Sequence, residues 1–255
     1  MSRRPIIFLH LPKTAGQSVR IFLQNAFPRR SMFPGQIDHH LAMHSRSDLR
    51  QYDLFSGHFS WSALDCLGPD SFVFTVLRDP AERLISFYRF MRRQGAQLAP
   101  ETRHQPANAG ARLASELAFD EYMTTQEPGI QQYLLGTLDN FYMYYFATRV
   151  LNGRSLIRDV YPVTDSYATE TVLQSAIRNI VESVRVYDFR NMAPMVDDLS
   201  REEGFVHTAF PTVNKAAEPS DNVALGQISN DLGRAREAIH MYCCHDQTIY
   251  RRFCA

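Results

Sequence analysis

Several things are scarce in this 255-residue sequence, and each scarcity excludes a class of protein. No run of about 18 apolar residues occurs, so no membrane-spanning helix is expected. Cysteine is limited to Cys66, Cys243, Cys244 and Cys254, two of them adjacent and none at zinc-ligand spacing. That argues against a zinc module and against a disulfide-stapled secreted domain, and favours reduced thiols in the cytoplasm. Net charge is absent: 27 basic and 27 acidic side chains cancel. No global positive field therefore draws nucleic acid, and any anion site must be local. A Walker A glycine is also missing, because Pro12 stands before Lys13-Thr14 where the P-loop pattern requires glycine. This points away from ATP and GTP hydrolysis. No internal repeat is visible.

What is present is a globular composition, 45% hydrophobic and 12% aromatic, with enough chain for one sizeable core. We expect a single domain over 1–255. Ser2-Arg3-Arg4 precede only about six apolar residues, too few for the h-region of a signal peptide, so a soluble, unexported chain is expected.

Hydrophobic patterning predicts strands at 5–10, 52–59, 71–77 and 185–188. The third, Ser-Phe-Val-Phe-Thr-Val-Leu, is apolar almost throughout, as a parallel strand buried on both faces should be. Helices are expected at 16–26, from Pro80 to about Arg93, and at 111–125, 140–151, 168–184 and 191–203. After a loop at 204–219 the remainder is mostly helical. Residues 28–50 read as irregular, and 94–110 as a mobile insertion, a candidate lid. Strands alternating with helices indicate an α/β fold: a central parallel sheet flanked by helices, with a largely helical C-terminal half.

Residues 6–18, Ile-Ile-Phe-Leu-His-Leu-Pro-Lys-Thr-Ala-Gly-Gln-Ser, carry the first strand through a loop into a helix. A lysine and backbone N–H groups delivered to a helix N-terminus make a phosphate site, because the dipole and the first amides both favour an anion. Arg78 closes the third strand at the edge where open α/β sheets bind ligands. Asp79 then reads as an N-cap with Pro80 at the first helical position. Arg83 and Ser86 follow, three residues apart and so on one helix face. If the first and third strands are neighbours, Lys13 and Arg78 share a sheet edge, and one nucleotide with two separated anionic groups satisfies both.

Pro12-Lys13-Thr14-Ala15-Gly16-Gln17-Ser18 and Arg78-Asp79-Pro80-Ala81-Glu82-Arg83-Leu84-Ile85-Ser86-Phe87-Tyr88, about 60 residues apart, resemble the two signatures of sulfotransferases that use 3′-phosphoadenosine 5′-phosphosulfate. The likeness is greatest to the heparan sulfate 2-O-sulfotransferase type and covers about residues 5 to 92. It implies a P-loop-like sulfotransferase fold. It also implies that Lys13, Thr14, Ala15, Gly16, Gln17 and Ser18 bind the 5′ side of the nucleotide, and that Arg78 and Ser86 bind its 3′-phosphate. In similar enzymes a late basic loop closes over the 3′ side, a role that falls here to Asn214 and Lys215. No metal is required by the family's chemistry.

Sulfuryl transfer needs positive charge on the leaving group and a base for the acceptor hydroxyl. Lys13 suits the first task. Histidine suits the second near neutral pH, and His58 is the candidate, at the end of the second strand on the same sheet edge. It matches the second histidine of a His-Gly-His segment in the 2-O type, where this chain has Ser56-Gly57-His58. His10 is expected to pack or orient the loop. His39, His40 and His44 could border the acceptor, and the aromatic run 141–146 reads as core that could also wall an acceptor pocket.

The expected function is transfer of a sulfuryl group from the phosphoadenosine donor to an acceptor hydroxyl, leaving adenosine 3′,5′-bisphosphate. The acceptor is a glycan or a small molecule. A glycan polyanion would call for a basic groove, for which Arg29, Arg30, Arg46, Arg50, Arg89, Arg92, Arg93 and Arg103 are candidates. The alternative is a non-catalytic module that keeps the nucleotide site. Oligomeric state is not legible.

Overall fold

The computed structural model describes residues 4–160, 166–211 and 221–254. Four strands, β1 (Ile6–Leu9), β2 (Leu54–Gly57), β3 (Phe72–Leu77) and β4 (Arg185–Asp188), form a parallel sheet in the order β2-β1-β3-β4. Ile6 lies opposite both Leu54 and Phe72, and Leu9 opposite both Gly57 and Thr75. The two strands expected to carry the anion groups are therefore neighbours. Every residue of β1 is buried, as befits a central parallel strand covered on both faces.

The chain divides into two compact units. The first comprises Met1–Arg78, Tyr142–Lys215 and Ile249–Ala255 and holds the sheet. Helix α1 (Gly16–Ala26) presents Val19, Phe22, Leu23 and Ala26 at i, i+3, i+4 and i+7, and these pack with Ile6, Phe8, Phe74 and Val76. Burial of each large apolar side chain contributes about 1.5–3 kcal/mol. The outer edge of β2 is covered by a segment read as irregular. Met32 bridges to Leu54 and Ile37 to His58; the Phe33 N–H donates to the Leu54 carbonyl at 2.8 Å and the His58 N–H to the Gln36 carbonyl at 2.7 Å. Two short helices, Asp38–Ala42 and Arg46–Leu49, follow that segment.

The second unit, Asp79–Phe141 and Ala216–Thr248, is helical. Its helix Pro80–Ala96 starts as expected: one Asp79 carboxylate oxygen accepts the N–H groups of Ala81 (2.9 Å) and Glu82 (3.2 Å). Near its other end Gly95 permits close approach to the helix Ala109–Glu116, since a Cβ there would lie 1.9 Å from the Ala111 carbonyl oxygen. The 94–110 stretch, read as an insertion, is partly helical, with Pro100–Arg103 and a 3₁₀ turn at Pro106–Asn108. Arg103 donates to the Gly95 carbonyl (3.4 Å) and the Ser115 hydroxyl (3.3 Å), stitching it down.

The helix expected at 111–125 breaks near Leu117 into Ala109–Glu116 and Phe119–Met123. Helix Pro128–Leu138 was not foreseen, because Gly129 and Gly136 blur its periodicity; burial of Ile130, Leu134 and Leu138 on one face holds it. Helices Phe141–Thr148, Ser166–Ser183 and Ala193–Leu199 fall where patterning put them. So does the helical end, Asp221–Ile228 and Leu232–Cys254. Among the described residues no helix is long and apolar enough to cross a membrane.

Candidate active site

The loop after β1 is built from an uncommon backbone. Lys13 and Ala15 have φ of 70° and 66°, the left-handed region that non-glycine residues seldom enter. Two such residues around Thr14 curl the chain into a concave turn of the type whose successive N–H groups converge on an anion. Thr14 holds the curl from inside: it is fully buried, and its hydroxyl donates to the Leu11 carbonyl at 2.9 Å. Whatever Thr14 offers a ligand must come from its backbone.

Ala15 is the N-cap of α1, has no oxygen to accept the first-turn amides, and is followed by no acidic residue in that turn. The start of α1 is thus left without a side-chain cap, which suits an external anion. The helix after Arg78 is the opposite case, since Asp79 already occupies its first amides. Gln17 is exposed and Ser18 buried.

Gly16 is dictated by His10. A Cβ on Gly16 would lie 1.7 Å from His10 Nε2 and 2.0 Å from two of its ring carbons. The His10 ring stacks on Phe8 (centroids 5.6 Å apart) and on His58 (4.1 Å, interplanar angle 27°). His58 Nδ1 lies 2.7 Å from the His10 backbone oxygen. A carbonyl can only accept, so Nδ1 carries the proton and Nε2 of the neutral ring is left as a base. Burial pushes the His10 imidazole down to about 3, assisted by repulsion from His58 once that ring is protonated and by the positive charges of Lys13 and Arg20. Burial also lowers His58, against a smaller opposing effect of its bond to His10. At neutral pH both rings are uncharged.

Arg78 follows β3 at the same carboxyl edge and is buried. Its guanidinium carbon lies 4.8 Å from the Phe189 ring centroid, a cation–π contact. The aromatic run is core, with Tyr142 and Tyr145 buried, and it also works on the site: the Tyr142 hydroxyl bonds both backbone groups of Arg78, and the Tyr145 hydroxyl donates to the Phe59 carbonyl at 2.9 Å. Arg83, by contrast, is fully buried within the second unit, with its Nη2 3.2 Å from the Leu138 carbonyl and 3.7 Å from Asp246. It is a structural arginine. Ser86 stands partly buried on helix Pro80–Ala96 of that unit. Asn214 and Lys215 lie outside the described residues.

The basic groove is thinner than the sequence suggested. Arg30 is buried and donates to the Glu203 and Arg4 carbonyls, and Arg103 pairs with Glu116. Asp38 accepts from the backbone N–H and hydroxyl of Ser60. Among the described residues no group of three or more His, Cys, Asp or Glu side chains could hold a metal. A cavity of ≈ 800 Å³ opens at the opposite, amino edge of the sheet, beside Ile7, Phe72 and Arg185. Its arginines Arg4, Arg149 and Arg185 already pair with Glu202, Asp65 and Asp198, so it is a poor anion site.

Sequence reasoning missed three contributors. Arg20, whose Nη1 donates to the Ser56 carbonyl at 2.9 Å, stands four residues past Gly16, a spacing that could have flagged it. Phe189 follows β4 at the carboxyl edge, which was also a usable signal. Tyr142 carried none, since its contact with Arg78 spans 64 residues.

Residues 2–154, more than half of the chain, match the sulfotransferase family, with no subtype specified. Comparison with curated proteins finds no match. The structure is similar to the crystal structure of a sulfotransferase from Alicyclobacillus acidocaldarius, at 16% identity and a TM-score of 0.47, covering 99% of this chain and 100% of that one. The loop at Lys13 and the strand end at Arg78 both lie inside the matched region, and the chain belongs to the sulfotransferase family.

Proposed function

We propose that this protein moves a sulfuryl group from 3′-phosphoadenosine 5′-phosphosulfate to an acceptor hydroxyl. The observation that carries the reading is one sheet edge that bears an uncapped helix start behind Lys13 and an imidazole with a free Nε2 at His58. The donor supplies the sulfuryl group. The residues present suit it: a concave left-handed turn, a lysine and no acid in the first turn of α1.

Lys13 and the α1 amides bind the charge of the 5′ side, and Lys13 stabilises the charge that grows on the leaving group. Arg78, held by Tyr142 and Phe189, binds the 3′-phosphate through its guanidinium fork. Ser86, Asn214 and Lys215 keep the nucleotide-binding roles that the motifs assign them. His58 Nε2 takes the acceptor hydroxyl's proton as the oxygen attacks. The acceptor is a glycan or small-molecule hydroxyl, with pairing of Arg30 and Arg103 favouring the less anionic candidates. The four free thiols suit a reducing, cytoplasmic compartment.

Titration with adenosine 3′,5′-bisphosphate and transfer assays with sulfur-labelled donor over a panel of hydroxyl acceptors test this. Binding is expected, together with transfer that Lys13→Ala and His58→Ala each reduce at least about 100-fold, His58→Ala with little change in nucleotide affinity. No binding of either nucleotide overturns the reading. Binding without transfer to any acceptor favours the non-catalytic module.

A further inference from the structure

His58 does not stand alone. Its Nδ1–H is held by the His10 backbone carbonyl at 2.7 Å and its ring lies on the His10 ring at 4.1 Å. His10 is itself held between Phe8 and His58 and against the bare Cα of Gly16, the first residue of α1. The same short segment that makes the anion loop therefore also presses on the candidate base.

Resting on the sulfotransferase reading, we propose that His10 is a positioning residue: its ring and backbone carbonyl lock His58 in the Nδ1–H tautomer, which leaves Nε2 as the proton acceptor of His58. Two stacked imidazoles can hold one proton between them far more easily than two. His10 is the more enclosed and lies nearer to the cations of the loop and α1, so the proton taken from the acceptor goes to His58. The Lys13 ammonium and the Arg20 guanidinium are the charged groups near His10. On the segment paired with His58, Asp38, His39 and His40 follow Ile37, and the Asp38 carboxylate is engaged by Ser60. No further ionic partner is needed to fix the tautomer: the backbone carbonyl accepts the Nδ1 proton, and the stacked His10 ring holds the His58 ring against it.

The role differs from simple packing in what it predicts. A ring at position 10 is required, and an imidazole is not. His10→Phe keeps stack and carbonyl and should turn over within about threefold of wild type. His10→Ala removes the stack, admits water to His58, and should lower kcat about 10- to 100-fold with adenosine 3′,5′-bisphosphate affinity little changed. It should also move the acid limb of the kcat–pH profile upward, because relief of burial returns His58 towards its ordinary value.

Imidazole ¹⁵N NMR of the full chain reads the tautomer without turnover. The expected result is Nδ1–H for His58 in wild type and His10→Phe, and a mixed population in His10→Ala. A wild type that binds no nucleotide and transfers no sulfuryl group overturns the enzymatic reading, while the NMR tests the lock separately. The lock itself is overturned by an Nε2–H tautomer in wild type or by an unmoved acid limb in His10→Ala. Equal loss of kcat in His10→Phe and His10→Ala also overturns it, since the imidazole of His10 would then be doing proton chemistry.

Discussion

The Tyr142 hydroxyl holds Arg78 by both backbone groups, donating to its carbonyl at 3.0 Å and accepting from its N–H at 3.3 Å. Arg78 is thereby fixed at the backbone by a residue 64 positions further along the chain. Tyr142→Phe removes both bonds and leaves two buried backbone groups short of a partner. Unfolding free energy should fall by about 1–3 kcal/mol. Adenosine 3′,5′-bisphosphate affinity should fall about three- to tenfold by calorimetric titration, because the arginine is no longer pre-positioned. Unchanged affinity would mean that the stack on Phe189 suffices.

Gly16 is required by shape. In Gly16→Ala the new methyl enters the His10 ring at 1.7 Å, and that ring is itself stacked on both sides. Thermal unfolding should show a loss of about 1–3 kcal/mol, the usual cost of overpacking, and sulfuryl transfer should drop with it. A fully stable, active Gly16→Ala protein would show that the ring can swing away.

Arg83 lies in the second signature, yet its work is inside the second unit. It and Asp246 are both fully buried. Asp246→Ala strands the guanidinium charge and should destabilise the chain by about 3–5 kcal/mol. Urea denaturation measures this, and a loss well under 1 kcal/mol would show that the carboxylate is dispensable.

Stability should also depend on pH through the histidine pair. Burial holds both rings neutral in the folded chain, His10 down to about 3 from the ordinary 6.5. The unfolded chain therefore binds more protons in that window, so stability is complete above about pH 6.5 and declines as pH falls towards 3. Each such histidine contributes a slope of at most about 1.4 kcal/mol per pH unit. Denaturation of wild type and His10→Phe at matched pH values cancels the carboxylates common to both. The variant should lose less stability on acidification, and parallel curves would place His10 in water.

The amino-acid sequence by itself determined the four strands, most of the longer helices and the placement of Lys13 and Arg78 after strands. The apolar run at 6–9, the periodic face of α1, the Asp79-Pro80 helix start and the placement of Lys13 and Arg78 after strands are local patterns. Each depends on residues within a turn or two of one another, so they can be read off the chain. Tertiary structure decided what those groups touch. It put Phe189 and Tyr142 on Arg78, laid His10 on His58, covered β2 with residues 32–37, and buried Arg83 beside Asp246. These contacts join segments far apart in sequence, and packing selects them by shape and by the need to pair every buried polar group.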